Sequence, residues 1–186
     1  EVDRYFCANT SVARQLADFC VPLERIRVTG IPVRLSCASL HRSPRPVPRD
    51  PLRVLFSAGS IPEGKVLRIL DALGDLGIPL KVLLAAGRSP GLAVRLGRYE
   101  PAPSLDLQVR GFLPDLPRRM GEADLLVTKP GGLVASEALC AGVPLVLTSP
   151  IPLQETFNAR YLEDLGAGFL EEDPAVLAPL ILGVQR

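Results

Sequence analysis

A single histidine in 186 residues, His41, sets the first limit on the chemistry. A Ser-His-Asp or Cys-His device needs an imidazole beside its nucleophile, and His41 sits in a stretch crowded with proline and arginine, so that kind of catalysis has little support. Cysteine is sparse too. Cys7, Cys20, Cys37 and Cys140 are widely spaced with no Cys-x-x-Cys pair, which leaves no zinc ligand set and predicts idle or buried thiols of a reducing compartment. Asp-x-Asp grips and His-Glu-x-x-His are absent as well, so no metal is expected. No apolar run approaches the roughly 18 residues needed to cross a bilayer, and no signal peptide is visible; a soluble, cytoplasmic chain is expected. Lysine and arginine total 21 against 20 for aspartate and glutamate, so no global field draws in nucleic acid or an anionic membrane, and any phosphate binding has to be local. Met120 is the only methionine, and a chain that opens at Glu1 reads as a piece of something longer.

What is present is ample core material, at 47% apolar residues, arranged in a regular rhythm. Arg4 to Ala8 and Arg25 to Thr29 read as strands around a helix from Thr10 to Phe19, capped by Asn9 or Thr10, which makes one βαβ unit. Between Gly30 and Pro51 five prolines (Pro32, Pro44, Pro46, Pro48, Pro51) forbid a continuous helix or a central strand, and residues 34–51 are taken as a linker. Beyond it, strand-length apolar runs alternate with helical stretches. Strands are expected at Leu52 to Ser57, Leu80 to Ala85, Leu105 to Val109, Asp124 to Thr128, Leu145 to Thr148 and Gly168 to Leu170. Helices are expected near Gly64 to Leu76, Pro90 to Gly97, Leu116 to Gly121, Leu133 to Ala141, Glu155 to Leu165 and Val176 to Val184. That order predicts an α/β fold, a doubly wound parallel sheet of Rossmann type preceded by a short βαβ remnant.

In such a sheet ligands lie beyond the carboxyl ends of the strands, and the polar motifs fall there. The densest runs from Lys129 to Ala159. Lys129-Pro130-Gly131-Gly132 is a strand-to-helix turn whose free backbone N–H groups suit an anion such as phosphate. Glu137 follows on the same helix, within reach of a ribose diol, and reads either as a surface glutamate or as a buried-edge acid with a partner. Gln154, Glu155 and Asn158 open a later helix, with Gln154 and Asn158 on one face; they suit sugar hydroxyls, or else ordinary helix capping. Ser57-Ala58-Gly59-Ser60 offers a second phosphate turn, or only the glycine that a strand exit needs. Gly111-Phe112-Leu113-Pro114 offers a ring and a backbone edge to a base, or a strand exit whose Phe112 fills the core. Arg34 alone reads as a solvated arginine. Glu171-Glu172-Asp173 reads as a solvated acidic turn.

Taken in order, these motifs resemble the GT-B glycosyltransferases of family 28, which include peptidoglycan N-acetylglucosaminyl transferases, monogalactosyldiacylglycerol synthases and diacylglycerol glucosyltransferases. The likeness covers nearly the whole chain, and Lys129-Pro130-Gly131-Gly132 with Pro150-Ile151-Pro152-Leu153-Gln154-Glu155 is nearer the glycolipid enzymes. Gly30-Ile31-Pro32-Val33-Arg34 looks like the family's interdomain Gly-x-Pro-Val-Arg, so the resemblance gives Arg34 the donor phosphates. It likewise implies the phosphate loop at Gly59 and Ser60, uracil contact at Phe112 and Leu113, and donor contact at Lys129, Gly131, Gly132, Leu133 and Val134. Ribose falls to Glu137 and the donor sugar to Gln154, Glu155 and Asn158. Ala58 and Pro62 depart from the family's phosphate loop, Val134 stands where threonine is common, and Leu153 where the glycolipid enzymes usually have glycine. The resemblance implies residues 1–33 as the end of an acceptor domain and 52–186 as a nucleotide-sugar domain. The expected donor is UDP-glucose or UDP-galactose, with no covalently bound cofactor and no catalytic residue in this chain, since the family's general base lies in the acceptor domain. A lipid acceptor such as diacylglycerol is expected, reached through the missing domain, with no nucleic acid partner and peripheral attachment of the full-length protein to the inner face of the plasma membrane. The alternatives are a peptidoglycan-type N-acetylglucosaminyl transferase and a non-catalytic nucleotide-binding subunit that needs a membrane partner.

Overall fold

The computed structural model describes residues 2–40 and 50–183. His41, Pro44, Pro46 and Pro48 of the expected linker, and Val184 of the expected last helix, lie outside the described residues. The chain divides into two compact units, Glu1–Arg34 and Leu35–Arg186.

The first unit is the expected βαβ. β1 (Tyr5–Cys7) and β2 (Ile26–Val28) pair in parallel, Tyr5 opposite Ile26, around α1 (Thr10–Asp18). Asn9 is the cap of that helix: its Oδ1 accepts a hydrogen bond from the Val12 backbone N–H at 3.0 Å, which satisfies one of the orphan donors of the first turn.

The second unit opens with α2 (Leu35–Ala38), a short helix inside the stretch read as linker. Cys37 in it is fully buried, and Leu40 just after it packs against the core. Six parallel strands follow: β3 (Leu52–Ser57), β4 (Leu80–Ala85), β5 (Leu105–Arg110), β6 (Leu125–Thr128), β7 (Leu145–Leu147) and β8 (Gly168–Leu170). They form one sheet in the order β5-β4-β3-β6-β7-β8. The helices between them are α3 (Glu63–Asp75), α4 (Pro90–Leu96), α5 (Leu116–Glu122), α6 (Gly132–Ala141), α7 (Gln154–Asp164) and α8 (Pro174–Gly183).

Two cores explain why the inner strands read as largely apolar runs. Along β3, Leu52, Val54 and Phe56 join the core beneath α3 and α8, while Leu55 points to the opposite core, shared with α5, α6 and α7. β6 is buried at every position, as a central strand covered on both faces must be. Residues at alternate positions therefore serve opposite layers, and the sheet is held between helices on both sides.

Candidate functional site

The chain leaves β3 toward β4 on one side and β6 toward β7 on the other, so these adjacent strands mark the topological switch point. The crevice outside their carboxyl ends is where such sheets bind ligands. Ser57 and Thr128 are register partners at that edge. The turns that follow them are Ala58-Gly59-Ser60 and Lys129-Pro130-Gly131, so the two predicted phosphate turns are brought together.

In the first turn Ala58 is buried and its N–H donates to the Ala85 carbonyl at 2.9 Å, while the Ile61 N–H closes the loop onto the Ala58 carbonyl at 2.9 Å. Gly59 and Ser60 stay exposed. Pro62 stands just before α3 with φ −56°, and its carbonyl accepts the Lys65 N–H at 2.9 Å. Ala58 and Pro62, the two departures from the family's loop, thus build the turn rather than obstruct it. A Cβ placed on Gly59 would lie 3.0 Å from the Gly87 Cα, and one on Gly87 would lie 2.9 Å from the Gly59 Cα. The turns after β3 and β4 touch backbone to backbone.

In the second turn the Gly131 N–H bonds the Lys129 carbonyl at 2.8 Å, and α6 starts from Gly131 with no side-chain cap. A helix that opens on glycines without a capping side chain leaves its first N–H groups to an outside acceptor. Leu133 is exposed beside them and Val134 half-buried. Glu137, one and a half turns further on, is only 1% exposed and is engaged within the fold. Of the two readings of this residue the structure gives the buried acid with a partner, the arrangement a buried carboxylate requires.

α7 is clasped to this turn by its own predicted sugar-reading residues. Glu155 Oε2 accepts the Ile151 N–H at 2.6 Å and lies 3.1 Å from Lys129 Nζ, with 14% and 9% of the two side chains exposed. Its other oxygen, Oε1, is 3.8 Å from where a Gly131 Cβ would stand. Asn158 Nδ2 donates to the Pro130 carbonyl at 2.9 Å. Asn158 thus spends its amide on the glycine turn, whereas Gln154 at the helix start is exposed. Glu155 joins the two readings of this motif, since one oxygen serves as a backbone cap while the other faces the turn. Leu153, which stands where the glycolipid enzymes usually have glycine, has φ +71° and is 76% exposed. The backbone there holds a positive φ of the kind glycine favours, at a cost of about 1–3 kcal/mol for a leucine.

Phe112 does not fill the core. It is 51% exposed, and the Arg88 guanidinium lies over its ring, 4.0 Å from the centroid. Leu113 beside it is half-buried. Arg88 has no part in the sequence motifs; its signal was Gly87, a glycine at a strand exit like Gly59 and Gly111. Arg34 closes the first unit and is described apart from this site.

A cavity of about 130 Å³ opens elsewhere, against the first half of β3, β4 and β5, lined by Arg53, Lys81, Asp106 and Gln108. It is remote from the strands' carboxyl ends and holds none of the motif residues. Among the described residues no group of three or more His, Cys, Asp or Glu could hold a metal ion, and no helix is long and apolar enough to cross a membrane. Among the described residues no disulfide joins any of the four cysteines. In the acidic turn, Glu171 Oε1 accepts the N–H groups of Glu172 and Asp173, each at 2.8 Å, and Glu172 pairs with Lys65.

The six-stranded parallel sheet with helices on both faces is the Rossmann-like fold of GT-B glycosyltransferases. The crystal structure of MurG from Acinetobacter baumannii superposes on 87% of the chain and 49% of its own length, with a TM-score of 0.62 and 24% identity. Spinosyn rhamnosyltransferase SpnG, crystallised with thymidine diphosphate, matches 75% of the chain and 38% of its own, with a TM-score of 0.55 and 17% identity. By sequence the chain is related to the diacylglycerol glucosyltransferases. It is 31% identical over 182 residues, 94% of its length, to the processive diacylglycerol beta-glucosyltransferase of Bacillus cytotoxicus. The chain spans about half of that relative, 46%. No protein-family model matches it.

Proposed function

We propose that this chain supplies the donor site of an inverting, UDP-sugar-dependent hexosyltransferase that acts on a lipid such as diacylglycerol. The observation that carries the proposal is the meeting, at the switch point of the sheet, of an exposed Gly59-Ser60 turn with an uncapped α6. Backbone N–H groups of both turns and the positive end of α6 would hold the diphosphate and stabilise the charge that gathers on UDP as it leaves. Glu137 would take the ribose hydroxyls, Phe112 and Leu113 the uracil, and Gln154 with Glu155 the hexose. Lys129 and Asn158 would hold that wall in place, as their bonds to Glu155 and to the glycine turn suggest.

In the reaction an acceptor hydroxyl oxygen bonds to the anomeric carbon as the bond from that carbon to the UDP oxygen breaks. The hydroxyl proton passes to a base in the acceptor domain, of which residues 1–33 would be the last part. The relative's name, which includes diacylglycerol, and the nucleoside diphosphate in SpnG support the substrate classes. UDP-glucose and UDP-galactose are the donors proposed, and peripheral attachment to a membrane would bring the full-length enzyme to its lipid.

Calorimetric titration tests this. The chain is expected to bind UDP at one site with a rise in melting temperature, and to form no glycolipid from UDP-glucose and diacylglycerol vesicles. Absence of both heat and melting shift at millimolar UDP would sink the donor-site reading, and glycolipid formation would sink the assignment of the base to another domain.

A further inference from the structure

Arg88 lies outside every assigned motif, yet it stands over the ring expected to meet the base. We propose that Arg88 is a specificity-determining residue for the nucleobase: with Phe112 it forms a shelf that takes a pyrimidine bearing carbonyl oxygens, uracil in preference to cytosine. The inference rests on the donor-site reading above and adds a residue and a selectivity to it.

Three observations support it. The position of Arg88 is set by backbone packing, because Gly87 before it has φ +72° and is pressed against Gly59, where neither residue has room for a side chain. The turn that carries Phe112 lies against the same point, since a Cβ on Gly111 would be 3.7 Å from the Gly87 carbonyl oxygen. The exits of β3, β4 and β5 are thereby locked together, and the first of them is the phosphate turn. Finally, the shelf is open: Phe112 is 51% exposed and Arg88 is exposed. An aromatic ring backed by a guanidinium offers a base both a stacking face and in-plane N–H donors.

Arg88 leaves the exit of β4 beside the phosphate turn, but its guanidinium is turned to the exit of β5, over the Phe112 ring. β5 is two strands from β3 in the sheet, about 10 Å at the usual strand spacing, so Phe112 stands well to one side of the switch-point crevice. A guanidinium N–H directed at position 4 of the pyrimidine meets a carbonyl acceptor in uracil, whereas cytosine presents an amino donor there. Phosphate contact is the competing role for an exposed arginine, and the test separates the two.

Wild type, Arg88→Ala, Phe112→Leu and the double variant are titrated calorimetrically with UDP, CDP and inorganic pyrophosphate. Arg88→Ala should weaken UDP about threefold to tenfold, reduce the preference for UDP over CDP, and leave pyrophosphate unchanged. The double variant should lose less than the two single effects combined, since both residues form one shelf. Equal losses for UDP and pyrophosphate would overturn the proposal in favour of phosphate contact, and an unchanged UDP affinity or fully additive losses would overturn it outright. If wild type itself binds no UDP, the donor-site reading fails and this inference with it; if wild type binds and the variants match it, only the inference fails.

Discussion

Replacing Glu137 with alanine is expected to weaken UDP binding about tenfold to hundredfold. A hydrogen bond to a charged acceptor contributes roughly 1.5–3 kcal/mol, and each 1.4 kcal/mol is a factor of ten in affinity. Glu137 is 1% exposed on α6, so a diol that reaches it would exchange water for a carboxylate in a setting with little solvent screening. Because Glu137 is also engaged within the fold, alanine removes an internal partner as well. Glu137→Gln separates the two effects. It keeps the shape and one acceptor but loses the charge, so it should hold the melting temperature close to wild type while still weakening UDP. An unchanged isotherm for both variants would remove Glu137 from the site.

Gly87→Ala should be the most damaging small substitution among the strand exits. Its φ of +72° disfavours any residue with a Cβ, by about 1–3 kcal/mol. The new atom would also stand 2.9 Å from the Gly59 Cα, a backbone contact that only a shift of the phosphate turn can relieve. A total of about 2–5 kcal/mol is a large share of the 5–15 kcal/mol typical of a folded domain. For a chain of this size that lowers the melting temperature by roughly 4–20 °C. Gly77 is the control: its φ is +64°, but a Cβ there meets nothing within 4 Å. Gly77→Ala should cost only the backbone term and leave UDP affinity unchanged, whereas Gly87→Ala should lower both stability and affinity. Equal melting temperatures for the two variants would contradict the role given to the Gly59–Gly87 contact.

The sheet was legible because its inner strands, β3, β4, β6 and β7, are largely buried and read as apolar runs, and the edge strands keep the same rhythm. Leu52 to Ser57, Leu80 to Ala85 and Gly168 to Leu170 have the predicted bounds, and the other strands of this sheet differ by one residue at an end. α2 was not legible. Four residues are too few for a helical period, and the prolines around them pointed to irregular chain; only the burial of Cys37 and the packing of Leu40 give that segment a place. At the site, the residues of the motifs could be named but not their partners. Asn158 meets Pro130 across 28 positions of sequence, and Lys129 meets Glu155 because β6, α6, β7 and α7 fold back on one another. Such pairings depend on closure of the layers and leave no local signal. The spacing of Gln154 and Asn158 indicated a shared face, but not that Asn158 would be spent on the backbone. Phe112 had two readings of equal local merit, and its 51% exposure decides against the core. Arg88 had only the glycine before it as a signal, since the contact between the exits of β4 and β5 is what brings it over the ring.

The most direct test of the central claim is a map of backbone amide shifts in the isotopically labelled chain as UDP is added. Perturbations should saturate together and concentrate at Gly59, Ser60, Gly131, Gly132, Leu113 and Glu137, with an affinity tighter than about 1 mM, or −4.1 kcal/mol. Shifts confined to the cavity lined by Arg53, Lys81, Asp106 and Gln108, or none at millimolar UDP, would contradict a donor site at the switch point of this sheet.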